Sequence, residues 1–347
     1  MRNYRLALIG FGNVGQGLAQ IIVERGDEIA RQYGAHISVV AVSDKLKGSL
    51  YDPDGLDLKK LLGANNECTR LEELPAPHRG WNALQTIQNS NADIIAEVSY
   101  TDLNTGQPAA DHIEAALRAG KHVITTNKGP IALHYPRLME LARQNHVEIG
   151  AEGTVMSGTP TLRLGMELLA GSGIRRIQGI LNGTTNYILS RMADGVPYGD
   201  ALASAQELGY AEADPTGDVE GIDAAGKVVI LANLLMGANL TLKDVDRQGI
   251  SHLTLEDVQK AQQANQRWKL IGSVERQGDQ VKASVRPTSL SIAHPLAGIS
   301  GATNAVTYTT DLLGDVTLIG AGAGRLETGF ALLGDLLAIH RKLEAHG

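Results

Sequence analysis

Cysteine is almost missing from this chain. Cys68 is the only one in 347 residues, so no intrachain disulfide can form, which suits a cytoplasmic setting. Cys68 has no obvious base beside it and reads as a structural or incidental thiol. No stretch approaches the ~18 uninterrupted apolar residues of a membrane span, so no membrane partner is expected. A basic excess is missing too: the net charge is -7, against the basic surface that a nucleic-acid partner requires. The ten histidines show no HxxxH or HxH pairing with a third ligand, which argues against zinc. The lack of a GxSxG elbow argues against an α/β-hydrolase. The N-terminal MRNYRLALIGFG places arginines before an apolar run, as a signal peptide does. The run is too brief, lacks a small-residue cleavage site and ends in a glycine loop, so it reads as a first strand.

What is present is the ordinary balance of a soluble globular protein, 43% hydrophobic and 20% charged, at a length that accommodates two domains. Residues 5–9 form a β-rich run, followed by GFGNVG, a helical segment over 16–32 and a second apolar run over 37–42. Further strands are expected over 92–98, 121–125 and 147–149, with helices over 108–119 and 133–145. This alternation predicts a doubly wound parallel sheet of the Rossmann type in residues 1–150. Residues 45–80, rich in Pro, Gly and Asn, read as a long irregular insertion. After residue 150 the pattern becomes α+β. Helices are expected over 160–169, 185–194 and 198–208, and strands over 174–181, 268–275, 280–286, 306–310 and 316–319. A hairpin turn falls at 277–279. A smaller second domain therefore spans 151–324, and the last helix, within 325–347, returns to the first domain.

GFGNVG follows a strand and opens a helix inside a βαβ unit, the context that makes a glycine pattern a dinucleotide site. Gly10 permits the tight turn, Gly12 lets the backbone approach a pyrophosphate, and Gly15 allows close helix–strand packing. The N–H groups of Phe11, Asn13 and Val14 and the helix dipole complete the cradle. Asp44 ends the second strand, where an acid takes the ribose hydroxyls of NAD; Lys45 and Lys47 are placed for a 2′-phosphate instead. NAD and NADP both stay open.

The most informative stretch is AQELGYAEADPTGDVEGIDAAGK, residues 205–227. It gathers six acids and Lys227 in a loop folded by Pro215 and Gly217, and it runs into an apolar helix. Asp223 and Lys227, four residues apart, share one helix face. Such a pair entering a buried helix is either a structural ion pair or a functional one. This stretch resembles the signature segment of homoserine dehydrogenases, without insertion or gap. TTNKGP (125–130), AEGTVMSG (151–158), NGTTNYIL (182–189) and GAGAG (320–324) follow the same family's order, so the resemblance covers most of the chain.

The resemblance implies reversible, NAD(P)-dependent hydride transfer between L-homoserine and L-aspartate 4-semialdehyde, toward threonine and methionine. It assigns Lys227 as proton donor, Lys128 as a second cation on the nicotinamide side, and Asp223 as the residue that orients Lys227. Glu212 and Asp218 would accept from the substrate ammonium, while Tyr210, Gly183 and Thr184 would position its polar end. Thr184 also reads simply as a helix N-cap. Ser99 and Gly324 fall at cofactor-side positions. Glu152, with carbonyls of Val155, Ser157 and Thr159, would hold a monovalent cation such as sodium. The segment 297–319 fits the family's dimer interface, implying a homodimer or dimer of dimers. No C-terminal ACT-type regulatory domain fits the residues that remain. Two rival readings are another Rossmann-type amino-acid dehydrogenase or reductase, which would not carry the 212–227 signature, and a non-catalytic NAD(H) sensor, which would need an output module.

Overall fold

The computed structural model of the protein describes residues 1–66 and 71–345; Cys68 lies outside them. The chain forms two compact units, Met1–Gly158 with Gly324–Gly347, and Thr159–Ala323.

The first unit is built on a seven-stranded sheet in the order β4-β3-β2-β1-β5-β6-β7. Its strands are β1 (Arg2–Ile9), β2 (Ala35–Asp44), β3 (Gly48–Tyr51), β4 (His78–Arg79), β5 (Ile94–Glu97), β6 (His122–Thr125) and β7 (Ile149–Gly150). From β2 to β7 the neighbours are parallel. The expected doubly wound sheet is therefore present, with its order reversing between β1 and β5. The helices are α1 (Asn13–Tyr33), α2 (Leu58–Asn66), α3 (Ala83–Asn89), α4 (Ala109–Arg118) and α5 (Lys128–Gln144), with the chain's last helix, Arg325–Ala345, joining them. Alternate residues of β1 feed two cores: Leu6 and Leu8 pack with α1 and the last helix, Ala7 and Ile9 with α3, α4 and α5. The last helix meets α1 backbone to backbone. A Cβ on Gly17 would lie 2.0 Å from the Arg325 carbonyl oxygen, and one on Gly329 would lie 2.6 Å from the Gly17 carbonyl carbon.

Two expectations fail here. The described residues of 45–80 carry regular elements: β3 pairs antiparallel with β2, β4 pairs antiparallel with β3, and α2 falls between β3 and β4 in the chain. Strands of four and two residues are too short to show an alternation. Helix α5 begins at Lys128, five residues before the expected start. Gly129 and Pro130 read as a turn, yet proline is tolerated in a helix's first turn because those N–H groups lack intrahelical acceptors.

The second unit holds a six-stranded sheet in the order β13-β12-β8-β10-β11-β9. Helix α6 (Thr161–Arg163) leads into a π-turn at Leu164–Leu168 and then β8 (Ile174–Ile180). There follow α7 (Gly183–Ala193), α8 (Tyr198–Glu207), α9 (Thr216–Val219) and α10 (Ile222–Met236). Next come β9 (Val245–Arg247), α11 (Leu255–Gln263), β10 (Gln266–Gln277), β11 (Gln280–Ser291), β12 (Thr303–Thr310) and β13 (Gly314–Ala321). The last helix is α12. The β10–β11 hairpin closes on Gly278 and Asp279, with Gly278 at φ +61°. Strand β9 and helix α11 escape the sequence pattern. Side chains alternate across β10: Gly272 faces Val228 of α10, while Lys269 reaches Asn186 of α7. Edge strand β13 and its turn expose Leu312, Leu313 and Ile319. Among the described residues, no helix is long and apolar enough to cross a membrane.

Candidate active site

In the first unit the chemistry gathers where the sheet order reverses, at the carboxyl ends of β1 and β5, the place where open α/β sheets bind ligands. The three glycines of GFGNVG are glycine for different reasons. Gly10 has φ +105°, and a Cβ there would sit 2.6 Å from the Val98 carbonyl oxygen. A Cβ on Gly15 would sit 2.6 Å from the Gly10 carbonyl oxygen. Gly12 is different: nothing lies within 4 Å of its Cβ position. Packing does not demand glycine there, but a phosphate approaching the backbone does. Gly12 is also the N-cap of α1, with no side-chain cap and no acid in the first turn, so the N–H groups of Asn13, Val14 and Gly15 end the helix without a side-chain acceptor from the cap. The loop fits a pyrophosphate.

Asp44 fastens this loop. Its carboxylate accepts from the N–H of Phe11 at 2.8 Å, Leu46 at 2.9 Å and Lys47 at 3.1 Å. Lys47 donates to the Phe11 carbonyl at 2.7 Å, whereas Lys45 is exposed. Ser99, just past β5, donates its hydroxyl to Glu97. Lys128 is the half-buried first residue of α5, following the N-cap Asn127. Gly324 directly precedes α12 at φ +136°, and its carbonyl accepts the Thr328 N–H at 3.0 Å.

At the domain junction, Glu152 is buried, at 5% exposure, and its N–H donates to Asp335 at 3.0 Å. Met156 and Ser157 are both left-handed, φ +57° and +54°, so the chain bends sharply there. The Ser157 hydroxyl pairs with that of Thr328 at 2.7 Å. The Thr159 carbonyl accepts both the N–H and the hydroxyl of Thr161, at 2.7 and 3.1 Å, which occupies both of its lone pairs. Among the described residues, no group of three or more His, Cys, Asp or Glu is arranged for a metal ion.

In the second unit a polar cluster forms where β8 hands over to α7 and α10 begins. Gly221, left-handed at φ +74°, starts α10 and puts Asp223 and Lys227 on one face. Lys227 is 6% exposed, and its ammonium donates to Asp223 Oδ2 at 2.7 Å and to the Leu181 carbonyl at 2.6 Å. Asn182 ties the cluster together. Its amide donates to Asp218 at 2.7 Å and to Asp223 at 3.1 Å, while its carbonyl caps α7 by accepting the Thr185 N–H at 2.9 Å. Burial raises the Asp218 pKa, and the Asn182 hydrogen bond opposes that rise. A buried lysine with a carboxylate, a carbonyl and a spare N–H suits proton transfer to a developing alkoxide.

The sequence-derived residues do not all converge. Lys227, Asp223, Asp218 and Thr184 share the cluster. Thr184 is not the N-cap, since Asn182 takes that position two residues earlier; its hydroxyl donates to the Tyr210 carbonyl at 2.6 Å. Gly183 is pressed against the loop, where a Cβ would meet the Ala302 carbonyl oxygen at 2.6 Å. Tyr210 is half-exposed and tilts against Tyr187 at 5.2 Å. Glu212 is exposed, and its carboxylate makes no hydrogen bond to the cluster among the described residues. The residue missed is Asn182. It lies inside a quoted motif, and its capping role is legible, but its partners are 36 and 41 residues away.

Comparison with known proteins follows this division. Residues 10–152 match the family model for the homoserine dehydrogenase NAD binding domain, and residues 160–337 match that for homoserine dehydrogenase. An NAD(+)-dependent homoserine dehydrogenase of Pseudomonas canavaninivorans is 49% identical over 98% of this chain and 97% of its own length. A solved chain from Archaeoglobus fulgidus is 38% identical with a TM-score of 0.88, covering 97% of this chain and 99% of that one. A hyperthermophilic archaeal homoserine dehydrogenase in complex with NADPH has a TM-score of 0.83 at 30% identity, covering 98% of each chain. This chain, with its glycine loop and its buried lysine–carboxylate cluster, belongs to the homoserine dehydrogenase family.

Proposed function

We propose that the chain catalyses reversible hydride transfer between L-homoserine and L-aspartate 4-semialdehyde, with NAD or NADP as carrier and reduction as the biosynthetic direction. The observation that carries this reading is the buried Lys227 with its two acceptors. The dinucleotide is assigned to residues 1–150 with the final helix, and the substrate to 151–324. The dinucleotide, when bound, would supply the hydride chemistry at the aldehyde or alcohol carbon. The residues of this chain handle the charge and the proton. In reduction, Lys227 Nζ gives a proton to the oxygen as the carbonyl becomes an alcohol; in oxidation it takes that proton back. Two of its N–H donors are held by Asp223 and Leu181, and this aims the third. Asp223 orients the donor, and Asn182 keeps Asp223 in place. Lys128 is the second cation. Asp218 and Glu212 accept from the substrate ammonium, and Thr184, Gly183 and Tyr210 hold the polar end.

On the cofactor side, the N–H groups of Asn13, Val14 and Gly15 take the pyrophosphate, that of Phe11 being held by Asp44; Asp44 takes the ribose, and Ser99 and Gly324 flank the dinucleotide. The test is initial-rate formation of NADH or NADPH from L-homoserine, with L-serine and L-threonine as comparison alcohols. Turnover of L-homoserine with either dinucleotide supports the reading; no turnover with both removes it.

A sodium-like ion belongs to the same proposal in a narrower form. Glu152 and the carbonyls of Val155 and Ser157 are oxygen donors on a sharply bent backbone, which suits a hard cation, whereas the Thr159 carbonyl is occupied. Glu152→Ala is expected to abolish activation by monovalent salt at constant ionic strength. An unchanged salt response would count against the ion.

A further inference from the structure

One carboxylate in the first unit is more deeply buried than any charged group used above. Glu97 ends β5 at 0% exposure. Its Oε1 accepts from the Ser99 N–H at 3.3 Å and from the Ser99 hydroxyl, and it lies 3.3 Å from His112 Nδ1 on α4. Its Oε2 has no hydrogen-bond partner among the described residues. Burying a carboxylate is costly unless it is paired, and a half-satisfied one tells against a purely structural purpose. An apolar residue of similar volume would fill the same space without that cost.

The surroundings indicate what the carboxylate does. The Glu97 carbonyl accepts the Thr125 hydroxyl at 2.7 Å, and the Thr125 hydroxyl oxygen accepts the Asn127 N–H at 3.0 Å. The Asn127 amide donates to the carbonyls of Ser99 and Tyr100 at 3.3 and 3.0 Å. These bonds clip the turn after β5 to the turn that precedes Lys128. The same β5 turn supports the glycine loop, because the Val98 N–H donates to the Ile9 carbonyl at 2.8 Å and Gly10 packs on the Val98 carbonyl. Glu97 thus anchors the turn on which Ser99 and Gly10 both depend.

We propose that Glu97, held by His112, is a positioning residue for the dinucleotide: it fixes the Ser99 hydroxyl and backbone at the carboxyl end of β5 and acts on the cofactor only through them. The proposal rests on the dinucleotide reading above and goes beyond it in naming the residue that sets the geometry. Glu97→Gln keeps the volume but replaces the carboxylate with a neutral amide, a weaker acceptor, so the hold on Ser99 and His112 loosens.

The experiment measures NADH and NADPH affinity by fluorescence titration, together with kcat, both KM values and the melting temperature. Glu97→Gln is expected to raise the Kd and KM of the preferred dinucleotide about tenfold, with kcat and the L-homoserine KM within about twofold, one decade being a modest loss of binding free energy. His112→Gln, which keeps an amide donor toward Glu97, is expected to stay within about threefold of the parent, and His112→Leu to follow Glu97→Gln. Ser99→Ala combined with Glu97→Gln should cost no more than the larger single change, because both act through one hydroxyl. A folded Glu97→Gln protein with parental dinucleotide affinity would overturn the proposal. So would a fall confined to kcat, or additive losses in the double variant. If Glu97→Gln does not fold, the two His112 variants decide by the same readout, equal affinities overturning the proposal. A parent that binds neither dinucleotide would remove the reading beneath the proposal, and the proposal with it.

Discussion

Lys269 has an ammonium buried at 4% exposure, held by Asn186 Oδ1 at 3.0 Å and by the Ile299 carbonyl. Burial, with Arg267 adding repulsion, lowers its pKa to about 8. The unfolded chain restores it to ~10.4. Below the folded value both states hold the proton, and the folded state bears the full desolvation cost. Between about 8 and ~10.4 the folded protein releases the proton first, so the unfolded state binds more protons and stability rises with pH. The window is worth roughly 3 kcal/mol. Urea midpoints measured from pH 7 to 10 should therefore climb in the parent relative to Lys269→Met. Lys121, whose pKa burial also lowers, contributes with the same sign and cancels in that difference. Parallel curves for the two proteins would contradict the argument. Single residues such as this one were the least legible part of the chain. Lys269 sits in an ordinary strand sequence, Glu97 closes an apolar run, and Asn182 passes for a simple cap; each acquires its role from partners far away in sequence.

At the scale of elements, the GFGNVG loop gives the cleanest separation of fold from function. Gly10→Ala forces a left-handed residue and a clash with the Val98 carbonyl, a loss of about 1–3 kcal/mol in stability. Gly12→Ala meets nothing, so stability should stay within about 0.5 kcal/mol. Dinucleotide Kd should nonetheless rise about tenfold or more, since a methyl group then occupies the ground where the pyrophosphate approaches. Melting curves and dinucleotide titration on both variants check this; an unaltered affinity in Gly12→Ala would place the phosphates elsewhere. The loop was readable because every demand on it is local to six residues. Helix α5 starts five residues before its sequence pattern does because its opening Lys-Gly-Pro carries turn chemistry that a first helical turn also tolerates. Strands β3 and β4 leave no sequence signal because they stand only as the antiparallel end of a sheet laid down elsewhere.

Across the whole molecule, the division of labour was legible in the order of motifs. Alternation of strands and helices marks the first unit as a doubly wound sheet, and the shift to α+β marks the second. Within each unit, the contents differ in kind. The first presents an uncapped helix end and bare backbone, suited to a phosphate-bearing cofactor. The second presents a buried cation with carboxylate and carbonyl acceptors, suited to proton transfer. Neither alone accounts for a dehydrogenase, and the central claim is that Lys227 moves the proton that accompanies the hydride. Substitution by methionine keeps most of the stem's packing and removes only the charged end. The deciding measurement is kcat for L-homoserine oxidation by Lys227→Met, taken on the same preparation as its melting temperature and NAD(P)H affinity. The account predicts a folded protein with near-parental dinucleotide affinity and turnover reduced roughly 10²–10⁴-fold, the usual share of general acid–base catalysis. Near-parental kcat in that folded protein, or a loss that merely tracks the unfolded fraction, would contradict it and leave Lys227 and Asp223 as a structural ion pair.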